Sequence, residues 1–480
     1  MCDEILFSKS STNTTIAINW IHIIKGQPEY LKKYNVKSYY FLKKIIVFLK
    51  RIINYTLYLI KSFFYKKSKF INSEKKILLI SHLINVDQIS NESDLYFGKL
   101  QKILNKKKIS FLKIFINHTK ENLDKLNLDL KVKNTIILPK YLNILEEIEI
   151  FLCQVKEFLR LKKEASQTNN LEKKFFIKET ARSLFHVETA FALRLQQQIK
   201  KYIKKNNPKF IICTHEGYAW ERLVFNAAKS VNPKIKCIGY QHTLFTKFQY
   251  SIKRKIIKKY NPDIIWTSGD FSNKELRNQK KLKGIKIINS GSFKNTNKLI
   301  LKKNNIKRRV GCLVIPEGIF EECYKLFMFS ISCAKIMPDI NFIWRLHPSL
   351  DFKSVMKKMG DNIKIPENII FSKNKNIEND IKLSRFALYR GSSSIATAFM
   401  SGLYPIYLRQ KSELEIDPLY YIKFCNFKAD TPAKFKNLLI NFLNKKKTIH
   451  KKFKKRAWNN SEKCYRNLSE KVVINSLKIN

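Results

Sequence analysis

Three short stretches of this chain carry residues able to do chemistry, and each falls where an apolar run gives out. In "FIWRLHPSL" the run ends on Arg345, His347, Pro348 and Ser349. Pro348 stops the run, so the imidazole of His347 is held by apolar flanks and can donate a hydrogen bond to a phosphoryl oxygen, stabilising charge on a departing nucleotide. In "YRGSSSIATAFMSG", residues 389 to 402, a chain otherwise loaded with lysine writes none. A turn through Gly391 delivers Ser392, Ser393 and Ser394 to the start of a helix, where hydroxyls, unpaired N–H groups and the helix dipole can hold a phosphate without a lysine. In "CTHEGYAWERL" the residues His215, Glu216 and Gly217 close another run. A carboxylate there suits a general base for an acceptor hydroxyl, with His215 orienting it.

Two further strand ends add candidates. Gln241 and His242 in "GYQHTLF" face the same cleft if the sheet is parallel, and "PEG" offers Glu317 and Gly318 where a nucleotide's base or ribose would be expected. His347 lies 45 positions before Ser392 (392 − 347), a spacing that lets both reach the carboxyl edge of one sheet.

The elements that must position these residues are legible as short apolar runs between longer helical stretches. One series begins with "KILLISHL" (76 to 83), "SFLKIFIN" (110 to 117) and "TIILP" (135 to 139), followed by long helical segments over roughly 140 to 205. It resumes with "KFIICTHEG" (209 to 217), "KCIGYQH" (236 to 242), "DIIWTSG" (263 to 269) and "IKIINSGS" (285 to 292). After a charged connector at 294 to 309, a second series runs through "VGCLVIPEG" (310 to 318), "INFIWRLHP" (340 to 348), "NIIFS" (368 to 372), "FALYRGSSS" (386 to 394) and "YPIYLR" (404 to 409). Apolar strands alternating with helices predict parallel sheets covered on both faces, hence an α/β fold of two Rossmann-like domains. Ligands of such sheets bind beyond the carboxyl ends of the strands. Of only twelve glycines, Gly217, Gly269, Gly291, Gly318 and Gly391 all fall there.

Composition sets the outer bounds. A chain of 480 residues with 44% hydrophobic content is long enough for two or three domains and is globular rather than disordered. Its net charge of +55 favours anionic partners, although lysines spread along the whole chain beside Ile and Asn also match the codon bias of an AT-rich genome. The nine cysteines form no CxxC pair and no zinc spacing, which reads as free thiols in a reducing cytosol. The start "MCDEILFSKSS" shows no signal peptide. Residues 41 to 69 are basic and strongly apolar, but lysine and arginine interrupt any run long enough to span a bilayer. A helix lying among lipid headgroups, or one packed on the body of the protein, fits that pattern.

The order Glu216-Gly217, His347-Pro348, Ser392-Ser393-Ser394 resembles the acidic-Gly, His-Pro and Ser/Thr motifs of bacterial GT-B sialyltransferases and polysialyltransferases. Similar His-Pro and serine elements occur in the Kdo transferases of capsule assembly and in CDP-glycerol glycerophosphotransferases. The chain as a whole is similar to surface-carbohydrate biosynthesis proteins of bacteria, over about residues 76 to 425. The resemblance implies a GT-B-like fold with sheets facing a cleft. It implies Glu216 as base, His347 on the phosphate assisting departure of CMP, and Ser392 and Ser393 binding that phosphate. His215 stands where these families prefer a second acidic residue.

The division expected is a leading segment at 1 to 70 with the basic helix, an acceptor domain at 71 to 295, a nucleotide-sugar domain at 296 to 450 and a C-terminal helix at 451 to 480. The activity expected is transfer of a CMP-activated acidic sugar to a lipid-linked or glycan acceptor of a surface polysaccharide, at the inner face of the cytoplasmic membrane. No cofactor or metal is expected beyond the nucleotide sugar, since no DxD stands at a strand end. Rivals are a CDP-polyol phosphotransferase, an NDP-sugar glycosyltransferase, a sugar-nucleotide 2-epimerase and a nucleic-acid-binding protein. The basic runs lack the interleaved aromatics of RNA-binding modules, which speaks against nucleic acid as partner.

Overall fold

The computed structural model describes residues 2–23, 75–293 and 311–477, apart from residues 9, 91–93, 120–133, 361 and 375, together with six positions between 53 and 62. The connector expected at 294 to 309 lies outside the described residues, as does most of the basic stretch at 41 to 69.

Among the described residues thirteen strands build two sheets, and every strand pair in both is parallel. The first contains β1 (Ile77–Leu83), β2 (Phe111–Asn117), β3 (Thr135–Ile137), β4 (Phe210–Thr214), β5 (Lys236–Gln241), β6 (Ile264–Thr267) and β7 (Lys286–Asn289), in the order β3-β2-β1-β4-β5-β6-β7. The second contains β8 (Gly311–Ile315), β9 (Phe342–Trp344), β10 (Ile369–Phe371), β11 (Ser384–Tyr389), β12 (Tyr404–Leu408) and β13 (Lys428–Ala429), in the order β10-β9-β8-β11-β12-β13. Both are doubly wound. In each, strand order reverses beside the first strand, between β1 and β4 in one sheet and between β8 and β11 in the other, and the crevice at such a reversal is where an open α/β sheet holds a ligand.

The sequence explains why these segments are strands. β4 (FIICT) and β8 (GCLVI) are buried at every position, as strands covered by helices on both faces must be. One face of the first sheet packs Leu78, Ile80, Ile114 and Ile211 against Leu195 and Ile199 of the helix Val187–Asn206 and Val224 of the helix Ala219–Val231. Its other face packs Leu79, Ile212, Tyr240 and Trp266 against Phe97, Phe293, Val473 and Leu477. Among the described residues seven free cysteines, including Cys213, Cys237 and Cys312, are buried in the cores of the two domains, where they pack as small apolar side chains.

Two terminal segments sit differently from the linear division of the chain. Residues 2–23 pack on the first domain, burying Ile5, Leu6, Ile16, Ile18 and Ile21 with Leu161, Phe176 and Ile177, while Arg254 pairs with Asp3. The far end of the chain crosses back from the second domain to the first. After the helix Lys447–Asn459, the Arg466 N–H donates to the Ser268 carbonyl at 2.8 Å and the Ser469 N–H to that of Ser290 at 3.0 Å. The last helix, Glu470–Leu477, buries Val473 and Leu477 against the first sheet, and Trp266 Nε1 donates to Ser476 Oγ at 3.0 Å.

Among the described residues no helix is long and apolar enough to cross a membrane.

Candidate functional site

The reversals of the two sheets face one cavity of about 570 Å³. From the first domain it is lined by Glu216, Tyr218, Thr243, Leu244, Phe248, Tyr250 and Ser251, with Ile23 of the N-terminal segment at its edge. From the second domain come Glu317, Gly318, His347 and the loop Gly391, Ser392, Ser393 and Ser394, with Leu414 and Ile416. Glu216, more than a hundred positions earlier in the sequence, therefore shares one space with His347 and the serine loop. Among the described lining residues there is no lysine or arginine, in a chain of net charge +55.

Glu216 is presented by a tightly folded turn between β4 and the helix Ala219–Val231. Glu221, on the first turn of that helix, folds its carboxylate back to accept the N–H groups of Glu216, Gly217 and Tyr218 at 2.7–2.9 Å. These are donors that a helix start leaves unsatisfied, and a reciprocal cap locks them. Burial pushes the Glu221 carboxyl up to about 8 while the three N–H groups pull it down. Gly217 has φ +84°, and a Cβ on it would stand 2.2 Å from the carbonyl carbon of Ser251, so both the backbone conformation and the close approach require glycine. Arg222 fixes the other side of that contact, donating to the carbonyls of Ser251 and Arg254 at 2.8 and 2.9 Å.

The Glu216 side chain is 13% exposed. Its Oε1 accepts from the Thr243 hydroxyl, the phenol of Tyr218 hydrogen-bonds it, and His242 Nε2 stands 3.9 Å away. The charge of Glu216, followed by burial, pushes the Tyr218 phenol well above its ordinary range, so Tyr218 remains a donor. A carboxylate fixed from two sides at a cavity wall has the geometry of a base.

His347 ends β9. The Ser349 N–H donates to its Nδ1 at 3.2 Å and the Ser349 hydroxyl lies 2.8 Å from the same atom, which leaves the ring proton on Nε2. Gly318 backs the ring closely, since a Cβ there would lie 2.8 Å from Nδ1. The serine loop runs from β11 into a six-residue helix, Ile395–Met400. The expected serine cap is not formed. Ser394 is already in the helical region, with φ −65° and ψ −17°, and its side chain accepts no cap hydrogen bond. Ser393 is instead hydrogen-bonded by Tyr465 from the C-terminal crossing.

Glu317, at the end of β8, lies against Gly391, whose Cβ would sit 1.8 Å from its Oε1. Burial, then the charge of Glu322, push this carboxyl up to about 7 against the pull of Arg390 and the Gly391 N–H.

Four residues expected at the site lie elsewhere. His215 is 1% exposed, and its Nδ1 meets Glu221 at 3.1 Å, so it braces the turn from inside the core. Burial and the charge of Arg222 hold its imidazole well below the usual range, in the neutral form. Gln241 is fully buried and spends its amide on the Thr243 carbonyl. Arg345 turns away from the cavity to Asp380 Oδ2 at 2.6 Å and the Asn374 carbonyl at 2.9 Å. Pro348 is exposed outside the cavity lining. His242 is a supporting residue, packed edge-on against Tyr96 at 4.9 Å behind Glu216. Tyr218, Thr243, Ser251 and Tyr465 join the site without having been singled out in the sequence; only Tyr218, next to Gly217, carries a local signal.

No family model matches the chain, and no curated protein matches it. Solved structures match across most of its length. One, from Listeria monocytogenes and described as a candidate UDP-N-acetylglucosamine 2-epimerase, has 11% identity and a TM-score of 0.50, covering 85% of this chain and 97% of its own. The UDP-GlcNAc 2-epimerase of Neisseria meningitidis, bound to UDP-GlcNAc, has 12% identity and a TM-score of 0.49 over 84% of this chain and all of its own. Acinetobacter baumannii MurG has 10% identity and a TM-score of 0.44 over 84% and 99%. At such identities the likeness is one of fold. The two doubly wound sheets facing a cleft, together with the first of these matches, give the chain a GT-B-like architecture of two Rossmann-like domains.

Proposed function

We propose that the protein is a glycosyltransferase that moves a CMP-activated acidic sugar, of the sialic acid or Kdo kind, to a lipid-linked or glycan acceptor of a surface polysaccharide. The observation that carries this reading is one cavity with Glu216 on its first-domain side, His347 and Ser392 to Ser394 on the other, and no lysine or arginine among its described lining residues. A diphosphate facing two carboxylates without a lysine or arginine would be poorly compensated, whereas a single phosphodiester needs only an imidazole N–H and hydroxyls. UDP-sugar enzymes are among the proteins of similar fold, and they support a nucleotide sugar in general.

In this reading Glu216 accepts the proton of an acceptor hydroxyl as that oxygen bonds to the anomeric carbon. The bond from that carbon to the phosphate oxygen breaks, and CMP leaves with the electron pair. His347 Nε2–H and the serine hydroxyls meet the charge that develops. The aromatic faces of Tyr218, Phe248 and Tyr250 line the acceptor half, where sugar rings stack well. A peripheral position at the inner face of the cytoplasmic membrane would place a lipid-linked acceptor within reach.

The test is to offer CMP-activated and UDP-activated sugars separately and follow nucleotide release with and without glycan acceptors. Release of CMP alone, increased by acceptor, is the expected result; release only of UDP would move the enzyme to the NDP-sugar class. A second reading, a 2-epimerase, draws support from Glu317 as a second carboxylate in the cavity. It predicts an isomerised donor in the absence of any acceptor.

A further inference from the structure

Among the described residues lining the phosphate half of the cavity, Glu317 is the one group that an anionic ligand should reject. Its carboxylate stands beside Gly391 and so beside the serine loop, while Gly318, its neighbour in sequence, backs the His347 ring. Oε1 is buried and has no hydrogen-bond partner among the described residues. The charged and titratable groups around it leave it only a share of one counterion, Arg390, whose charge lowers its carboxyl while its ion pairs go to other carboxylates. From the helix Phe320–Lys335, Glu322 adds like charge. Arg390, at the end of β11, is 3% exposed and committed to Glu322 and to Glu413 of the loop after β12. Lys325 bridges the same two carboxylates, at 3.1 and 2.7 Å. His347 approaches from β9 through Nδ1, the side that faces Gly318. Across the cleft stand Glu216 and the phenol of Tyr218, which feels the charge of both Glu216 and Glu317.

Two cations thus balance Glu322 and Glu413, and Glu317 is left over. A phosphate held by His347 and the serine loop would bring a further negative charge into the same desolvated space, where like charges cannot both persist. The neutral acid removes that conflict and turns Oε1 from an acceptor without a partner into a donor, as protonated buried carboxyls do elsewhere. Resting on the nucleotide-sugar reading above, we propose that Glu317 enters the donor complex as the neutral carboxylic acid, taking one proton from solvent and donating its O–H to the donor's phosphate. Glu317 is then a substrate-contacting residue that couples donor binding to proton uptake. Burial has already raised its carboxyl to about 7 in the empty site, so the proton is nearly in place at neutral pH. The sign follows. Only the protonated form binds well, so donor affinity is full below pH 7 and falls as pH rises through it.

The probe is the methyl ester of cytidine 5′-phosphate, a phosphodiester whose single charge does not titrate between pH 6 and 8. Calorimetry on the wild-type chain should show affinity about tenfold weaker at pH 8 than at pH 6. Near pH 8 the heat should depend on the buffer's ionisation enthalpy, with about one proton taken up per ligand. Glu317→Gln, which offers a permanent neutral donor, should bind with an affinity that changes less than twofold over the same range and without proton uptake. Tight wild-type binding that is flat with pH and releases no buffer heat overturns the assignment and leaves the nucleotide reading standing. Proton uptake that persists in Glu317→Gln also overturns it, by giving the proton to another group. Failure of both proteins to bind the probe at either pH overturns the nucleotide reading, and this one with it. Should the variant not fold, the wild-type buffer series decides alone.

Discussion

At the scale of single residues, the proposed reaction separates groups that would touch ligand from groups that hold them in place. In that proposal His347 belongs to the first kind. His347→Ala should lower kcat by about a hundredfold or more, if the Nε2–H stabilises the departing phosphate, while thermal stability stays within a degree or two of wild type. Single-turnover kinetics check this, and an unchanged kcat removes His347 from the chemistry. Gly217 belongs to the second kind. With φ +84° and the Ser251 backbone 2.2 Å from a would-be Cβ, Gly217→Ala should cost about 2 to 4 kcal/mol in chemical denaturation. The sequence announced these residues because glycine, histidine and clustered serine stand out against a background of Lys, Ile and Asn. It was silent on direction. Arg345 and His347 stand two apart just past one strand end, where strand periodicity would put them on one face, and nothing local tells that Asp380, thirty-five positions later, draws the arginine away. The same limit applies to Glu221. It reads as an ordinary first-turn acid, and its grip on three successive N–H groups is visible only in three dimensions.

At the scale of elements, twelve of the thirteen strands among the described residues lie within or overlap runs readable from their apolar residues, β11 starting two residues early, because a strand buried on both faces must be apolar along its length. The exception, β13, is the two-residue Lys428–Ala429, too short for any pattern. The docking of the chain's two ends on the first domain was not legible at all. Contacts between residues such as Ser268 and Arg466 depend on the path of the chain between them, which periodicity does not encode. The crossing helix Glu470–Leu477 nonetheless makes a checkable claim. Leu477 is fully buried against the first sheet, so Leu477→Ala should destabilise the first domain by about 2 to 5 kcal/mol, read as a shift in its denaturation midpoint. An unchanged midpoint would mean that the last helix is docked without supporting the core.

At the scale of the whole molecule, charge is distributed against the expectation of a uniformly basic protein. The chain carries +55, yet among its described residues the cavity wall has no lysine or arginine and holds two carboxylates. On the proposed reading, attraction to anionic surfaces and recognition of the ligand would be separate properties, one spread over the exterior and one confined to a few neutral donors. Binding to vesicles containing anionic lipid should be strong at low salt and fall steeply as ionic strength rises. Removing residues 41 to 69 should weaken it, if that basic stretch is the anchor. The deletion must spare residues 2–23, which are part of the first domain's core. Co-sedimentation measures the effect, and retention equal to the full chain would assign the attraction to the general surface.

The C-terminal crossing ties these scales together. Its backbone is fastened to the first lobe through Ser268, Ser290 and Ser292, while one phenol, that of Tyr465, reaches the serine loop of the second. A rotation that swings the lobes apart would load that hydroxyl pair together with Cys464 and Tyr465, which are buried in the second domain's core, so on this geometry the chain's own tail acts as a rein on the jaws.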